Sequence, residues 1–387
     1  MIPLSVPNFE GNEEKYVLDA VSQGWVSTAG EYVKRLETMI ASYISVPAAA
    51  ACQSGTAALH LSLIECGVRA GDLVIVPTLT FIAAVNPVRY LQADPAFMDC
   101  DDSLCMAPEK LKEFCEKECR MTKKGLMHLE SRKIVRAVVV VHVFGNLADM
   151  DAIMDIAEKY SLKVIEDATE ALGSYFEVGK YAGRMAGSIG DFGAYSFNGN
   201  KIITTGGGGM AVSRSGQALE HLKYLSVQAK DDARFYIHDE IGYNYRMTNV
   251  QAALGVAQME KLEKFIRRKN ENYEMYCRLL GGTDRYYMLR FRENCRTNKW
   301  FYSLVLNRKY LRDDIRTYVQ KLENRGVQTR PVWGLIHEQK PYRNSISYRI
   351  ETAKYYSERI INLPCSTGIS IEEIETVSEQ IEEAFKN

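Results

Sequence analysis

Lys201 is the side chain in this sequence best suited to act as an amine nucleophile. It lies in residues 190–210, GDFGAYSFNGNKIITTGGGGM, among small, turn-forming and hydroxyl residues. Residues 192–197 read as a short buried strand, Asn198-Gly199-Asn200 as a turn, and Met210-Ala211-Val212 as the start of another strand. The lysine therefore sits on a loop between strands. A buried or half-buried lysine loses its charge readily, which suits attack on a carbonyl. From this stretch alone, a surface lysine beside a glycine turn is the simpler account. The glycine run is not a nucleotide-phosphate loop, because Lys201 precedes the glycines. Nor does a G-x-G-x-x-G open a helix after a strand.

Three further residues fall just past predicted strand ends: Phe81, His142 and Asp167. Ser54-Gly55-Thr56 stands at a predicted helix start, where orphan N–H groups and the helix dipole suit a phosphate. Plain N-capping by Ser54 explains the same pattern. The elements that must position these residues are strands at 72–77, 95–99, 134–141 and 162–165, alternating with helices at 83–91, 108–119 and 150–160. That alternation predicts a mostly parallel α/β sheet, whose ligands bind at the carboxyl ends of the strands. The predicted strand ends bring Phe81, His142, Asp167 and the 54–56 helix start to one side, as one pocket. A single long helix is expected over 249–280. Beyond it come a strand at 300–306, a helix at 313–323, a short strand at 327–330, a loop-rich segment at 331–347, and helices at 351–361 and 371–385. These form a smaller α+β domain, so the expected division is 1–255 and 256–387.

With 387 residues, 46% hydrophobic and 25% charged, the chain is an ordinary soluble globular sequence. A net charge of −1 gives no electrostatic case for nucleic acid or an anionic membrane. Nine scattered cysteines, an odd number without paired CxxC motifs, fit a reduced cytoplasmic protein without a metal site. No signal peptide, membrane span or internal repeat is read from the sequence.

Six motifs in order, SGTAALHL, VPTLTFIAAVN, VHVFGNLADMDAI, IEDATEALGS, GDFGAYSFNGNKIITTGGGG and GYNYRMTNVQAALG, resemble the DegT/DnrJ/EryC1/StrS family of pyridoxal-phosphate-dependent sugar aminotransferases. The resemblance implies an aspartate aminotransferase-like fold with a mostly parallel central sheet of the seven-stranded type. It implies that Lys201 bonds pyridoxal 5′-phosphate and then carries the proton. Asp167 would pair with the pyridinium nitrogen, Glu170 would lie near the phenolic oxygen, and Phe81 would stack on the ring. Gly55, Thr56 and Ser196 would hold the phosphate, together with Asn244 from the other subunit of a homodimer. His142 matches a family histidine to which the resemblance gives no role. Gly207 departs from the acidic residue usual in TTGEGG. TTGGGG and the segment from Arg330 through Trp333 to His337, RPVWGLIHEQKPY, are similar to the LegC-type subgroup, and place Arg330, Trp333 and His337 near the sugar. The implied substrates are L-glutamate and a UDP-linked 4-keto-6-deoxy-N-acetylhexosamine in bacterial surface-sugar synthesis. A GDP-4-keto-6-deoxymannose or dTDP-linked 3-keto or 4-keto sugar is the alternative, and a non-catalytic cofactor-binding regulator is a third. Family dehydratases replace the lysine by histidine, which Lys201 argues against.

Overall fold

Strands buried on both faces carry continuous apolar runs rather than an alternation. Leu73–Pro77 is buried throughout, and Val135–Val141 at every position but Arg136. In the computed structural model, which describes residues 1–385, these strands lie inside an eight-stranded sheet. Its order is Ala49–Cys52, Gly209–Ser213, Phe192–Ser196, Lys163–Asp167, Val135–Val141, Leu73–Pro77, Asp94–Met98 and Ile346–Tyr348. Only Gly209–Ser213 runs against its neighbours. The first seven strands come from the N-terminal part of the chain. The eighth comes from the segment expected to be loop. It pairs in parallel with Asp94–Met98, Ile346 opposite Ala96.

A second, antiparallel sheet joins Tyr286–Met288, Tyr302–Leu306, Ile360–Leu363 and Arg330–Pro331. The helices Leu262–Leu279 and Ile315–Asn324 pack on it, and Ile371–Phe385 packs on both helices. The helix expected over 351–361 stops at Ser357, and its apolar end becomes the Ile360–Leu363 strand. A short apolar run fits either state, and pairing with Tyr302–Leu306 decides it. A hairpin of Cys119–Thr122 and Gly125–His128 was not anticipated.

The expected 249–280 helix is two helices, Asn249–Met259 and Leu262–Leu279. The first is buried almost all round by small residues; a Cβ at Gly255 would lie 2.8 Å from Leu36. The second is amphipathic, with Phe265, Ile266, Tyr273 and Tyr276 buried. At the break Glu260 is bound by Asn12, Tyr16 and Arg35, which fixes the end of the first helix. Thr248 and Gln251 form a reciprocal capping box at its start. Among the described residues no helix is long and apolar enough to cross a membrane, and all nine cysteines are free thiols.

The Phe192–Ser196 strand leads directly to the Lys201 loop, and close backbone packing locates it. A Cβ at Gly193 would lie 2.0 Å from the Gly187 carbonyl oxygen, which is backbone and cannot swing aside. Gly193→Ala is expected to destabilise the fold by about 1–3 kcal/mol through overpacking. Thermal unfolding measures it; an unchanged Tm would contradict this packing.

Candidate active site

Successive strand residues point to opposite faces of a sheet, so Glu166 and Asp167 cannot share one environment. Glu166 is fully buried. It accepts the N–H groups of Gly187 (2.9 Å), Ile189 (2.6 Å) and Gly190 (2.6 Å), and a bond from His142 Nε2 at 2.9 Å. The Ala148 N–H donates to His142 Nδ1 at 3.2 Å, so the ring proton sits on Nε2 and is given to Glu166. Burial alone would raise the Glu166 pKa. The bond from His142 and those from the Gly190 and Gly187 N–H groups outweigh it and hold the carboxyl below its usual value. His142 therefore has a structural partner. Its own backbone N–H bonds the Asp167 carbonyl at 3.1 Å.

Asp167 faces a cavity of about 280 Å³ at the carboxyl ends of the strands, which Glu170 and Lys201 also line. Asp167 is 3% exposed and its Oδ1 accepts the Thr169 N–H at 3.1 Å. Burial raises its pKa, against the Thr169 bonds and the charge of Lys201. Glu170 Oε2 accepts the Phe144 N–H at 2.8 Å, and Oε1 lies 3.6 Å from Lys201 Nζ. Burial pushes the Glu170 carboxyl up to about 7, with Lys201 opposing. Burial also lowers the Lys201 pKa, with Glu170 and Asp167 opposing. The Lys201 side chain is only 12% exposed, so it is no surface lysine. Phe144 adopts φ 56°, ψ 19°, a left-handed conformation that is uncommon for a side chain of its size.

The helix Gly55–Glu65 starts at the same cavity. Ser54 caps it by accepting the Ala57 N–H at 3.0 Å, and the first-turn N–H groups of Gly55 and Thr56 have no carbonyl one turn behind them. Capping and anion binding are thus compatible rather than alternative. Gly209 brings the antiparallel strand close: a Cβ there would lie 2.4 Å from the Gly55 nitrogen. Ser196 lines the cavity beside them, and Phe81 stands at its wall with 54% of its surface uncovered. Trp333 completes the wall, its ring 6.4 Å from Phe81 and 4.8 Å from Phe144. Gly207 also lines the cavity, and a Cβ there would meet only Gln251, at 3.8 Å.

Four residues that the sequence singled out are not among those lining the cavity; the first, His142, was expected in the pocket but is held by Glu166 and the Ala148 N–H instead. Asn244 bridges to Val227. Arg330 is exposed in the second sheet, where its guanidinium donates to the Thr329 carbonyl at 2.9 Å. His337 Nδ1 lies 2.6 Å from Thr78 Oγ1. Conversely, Thr169, Asn200 and Trp300 line the cavity without having been anticipated, and Asn200 Oδ1 is buried with no hydrogen-bond partner. The signal for Thr169 was its place two residues beyond Asp167. Trp300 had none, because only the tertiary fold brings it to Lys201.

A buried amine, two carboxyls, a helix start and an uncovered aromatic face suit a phosphorylated aromatic aldehyde. The model of the DegT/DnrJ/EryC1/StrS aminotransferase family matches residues 7–382. The chain belongs to that family. EpsN of Bacillus subtilis (strain 168) is 35% identical over 377 residues, 96% of this chain and 92% of EpsN. GDP-perosamine synthase of Vibrio cholerae is 34% identical, over 100% of this chain and 99% of its own. The PLP form of Spr1654 from Streptococcus pneumoniae superposes with a TM-score of 0.87 at 23% identity, covering 100% of this chain and 98% of that one. This DegT/DnrJ/EryC1/StrS member has the fold of the PLP-dependent sugar aminotransferases, uses pyridoxal phosphate and is an aminotransferase.

The Glu166 network makes a pH-dependent prediction. With a folded pKa below the unfolded one, its contribution is complete above the unfolded value and is lost as pH falls through the folded one. Glu166→Gln leaves at least one buried N–H donor opposed by another donor, and is expected to cost about 1–3 kcal/mol at neutral pH. Denaturant unfolding of wild type and variant should converge as the pH is lowered. A constant gap down to strong acid would contradict the role of the Glu166 charge.

Proposed function

We propose that the chain transfers the amino group of L-glutamate to C4 of a nucleotide-linked 4-keto-6-deoxy sugar. The observation that carries this reading is the burial of Lys201 beside Asp167 and Glu170 in one cavity. The N–H groups of Gly55 and Thr56 and the Ser196 hydroxyl would hold the cofactor phosphate. Asp167, on the cavity floor, would meet the ring nitrogen, where its buried carboxylate keeps a proton on that nitrogen. Glu170 would lie by the phenolic oxygen, and Phe81 would cover one ring face. Bound pyridoxal phosphate supplies a carbonyl for the amines and an electron sink for the carbanion. Lys201 holds the cofactor until substrate displaces it, then takes the proton from the donor's α-carbon. In the second half of the cycle Lys201 delivers a proton to C4 of the sugar.

The similarity of the segment from Arg330 to His337 to the LegC-type subgroup supports a UDP-linked 4-keto-6-deoxy-N-acetylhexosamine, for nonulosonic acid or bacillosamine-type sugars. Full-length similarity to GDP-perosamine synthase favours a second reading, GDP-4-keto-6-deoxymannose. Incubation with glutamate and a panel of UDP-, GDP- and dTDP-linked keto-sugars, with NMR location of the new amine, separates them. Amination at C4 of the UDP or GDP substrate is expected; amination only at C3, or none, would contradict the proposal. Lys201→Ala is expected to abolish both turnover and the yellow colour of the loaded protein.

Asp167→Asn is expected to slow single-turnover chemistry by about 10²–10³-fold while weakening cofactor binding far less, because an amide cannot keep the ring nitrogen protonated. Unchanged single-turnover rates would contradict it.

The place of Asn244 outside its own chain's cavity lining supports a site shared across a homodimer, in which the partner subunit's Asn244 reaches the phosphate. Mixed Lys201→Ala and Asn244→Asp dimers would then carry one intact site each. Recovery of activity on subunit exchange between these two inactive variants is expected; no recovery would assign Asn244 to its own chain.

A further inference from the structure

A buried ammonium needs compensation from every side, and the carboxylate nearest Lys201 Nζ is 3.6 Å away, longer than a charge-assisted hydrogen bond. On another side Nζ stands 3.9 Å from the centroid of the Trp300 ring. An indole face attracts a cation most strongly among the aromatic side chains, and more so when water is excluded. The indole is 3% exposed and stacks on Phe301 at 4.0 Å.

Trp300 is also fixed from several elements at once. Its backbone N–H is within reach of the Phe144 carbonyl (3.0 Å) and Asn298 Oδ1 (3.1 Å). Its carbonyl accepts Lys269 Nζ at 2.6 Å. Its indole N–H donates to the carbonyl of Asn200 at 2.7 Å, and that carbonyl belongs to the peptide joining Asn200 to Lys201. One ring therefore anchors the lysine's backbone through its edge and meets its amine with its face.

We propose that Trp300 is a positioning residue whose ring face receives the Lys201 amine when the lysine is free of the cofactor, and stabilises the ammonium that forms when that amine takes up a proton. This rests on the reading of Lys201 as the amine that is bonded and released in each cycle. The role is distinct from that of Glu170 and Asp167, which act on the same amine through charge. The remaining titratable groups nearby do not compete for it. Lys269 Nζ is held by the Trp300 and Cys365 carbonyls, Cys365 is on the Lys269 side, and His142 is bound to Glu166.

The test follows the titration of Lys201 itself. The rate of acetylation of Lys201 against pH, read by mass spectrometry, gives its apparent pKa in the full-length cofactor-free protein. The same measurement after loading with pyridoxamine 5′-phosphate, which has no carbonyl for the lysine, repeats it in the filled cavity. Trp300→Leu is expected to lower the apparent pKa by about one, since a desolvated cation–π contact is of that size. Replacement of Trp300 by mono-, di- and trifluorinated tryptophans keeps the shape and the N–H while draining charge from the face, so the pKa should fall stepwise. This series answers the question even if Trp300→Leu fails to fold. An apparent pKa that is the same across the fluorinated series would overturn the proposal. The cofactor-free titration involves neither glutamate nor sugar, so its outcome is separate from that of the proposed reaction.

Discussion

Putting an amine and two carboxyls together out of water is the constraint on which this structure depends. Singly, each of Lys201, Asp167 and Glu170 would be driven to its neutral form by burial. Together they oppose that drive: the carboxyl charges favour the ammonium, and the ammonium favours the carboxylates. Glu170, pushed up to about 7, is thereby able to take either protonation state near neutral pH, as proton transfer there requires. A parallel sheet provides the place, because the ends of Lys163–Asp167 and Phe192–Ser196 open beside the start of the Gly55–Glu65 helix.

The alternation of the Lys163–Asp167 strand divides two carboxyls between two tasks. Asp167 goes to the cavity; Glu166 goes to the opposite face, where His142 and three N–H groups saturate it. That second network ties the 187–190 turn to the strand, and Gly193 lies against the same turn. Rigidity behind the cavity and reactivity within it thus come from adjacent residues. The strained Phe144 contributes to both: its N–H binds Glu170 and its ring packs against Trp300, Phe301 and Trp333.

Much of this was legible in the sequence, because it was written locally. Continuous valine-rich runs marked the buried strands, Ser54 marked a helix start, and Asp167 followed a strand. Lys201 stood out from its own loop, and resemblance to the family joined Glu170 and Ser196 to it. What was not legible depends on distant packing. Ile346–Tyr348 is too short to announce itself and is a strand only because Asp94–Met98 offers an edge. The break at Glu260–Lys261 carries neither proline nor glycine; it follows from two helices burying different faces. Trp300 lies 99 residues from Lys201 in the chain by numbering, so no spacing links them. Glu166 could have been assigned, since strand alternation next to a cavity-facing Asp167 requires it to turn away.

On the proposed reading, the cofactor is held in the Lys201 cavity. Lys269 offers a sharp comparison, for it is also buried and its pKa is also lowered by burial, yet it binds the Trp300 and Cys365 carbonyls and does not line that cavity. Borohydride reduction of the pyridoxal-phosphate-loaded protein fixes the cofactor to whichever lysine holds it, and peptide mass mapping then locates it. The phosphopyridoxyl group is expected on Lys201 alone; its appearance on Lys269, or on surface lysines without Lys201, would contradict this placement of the cofactor.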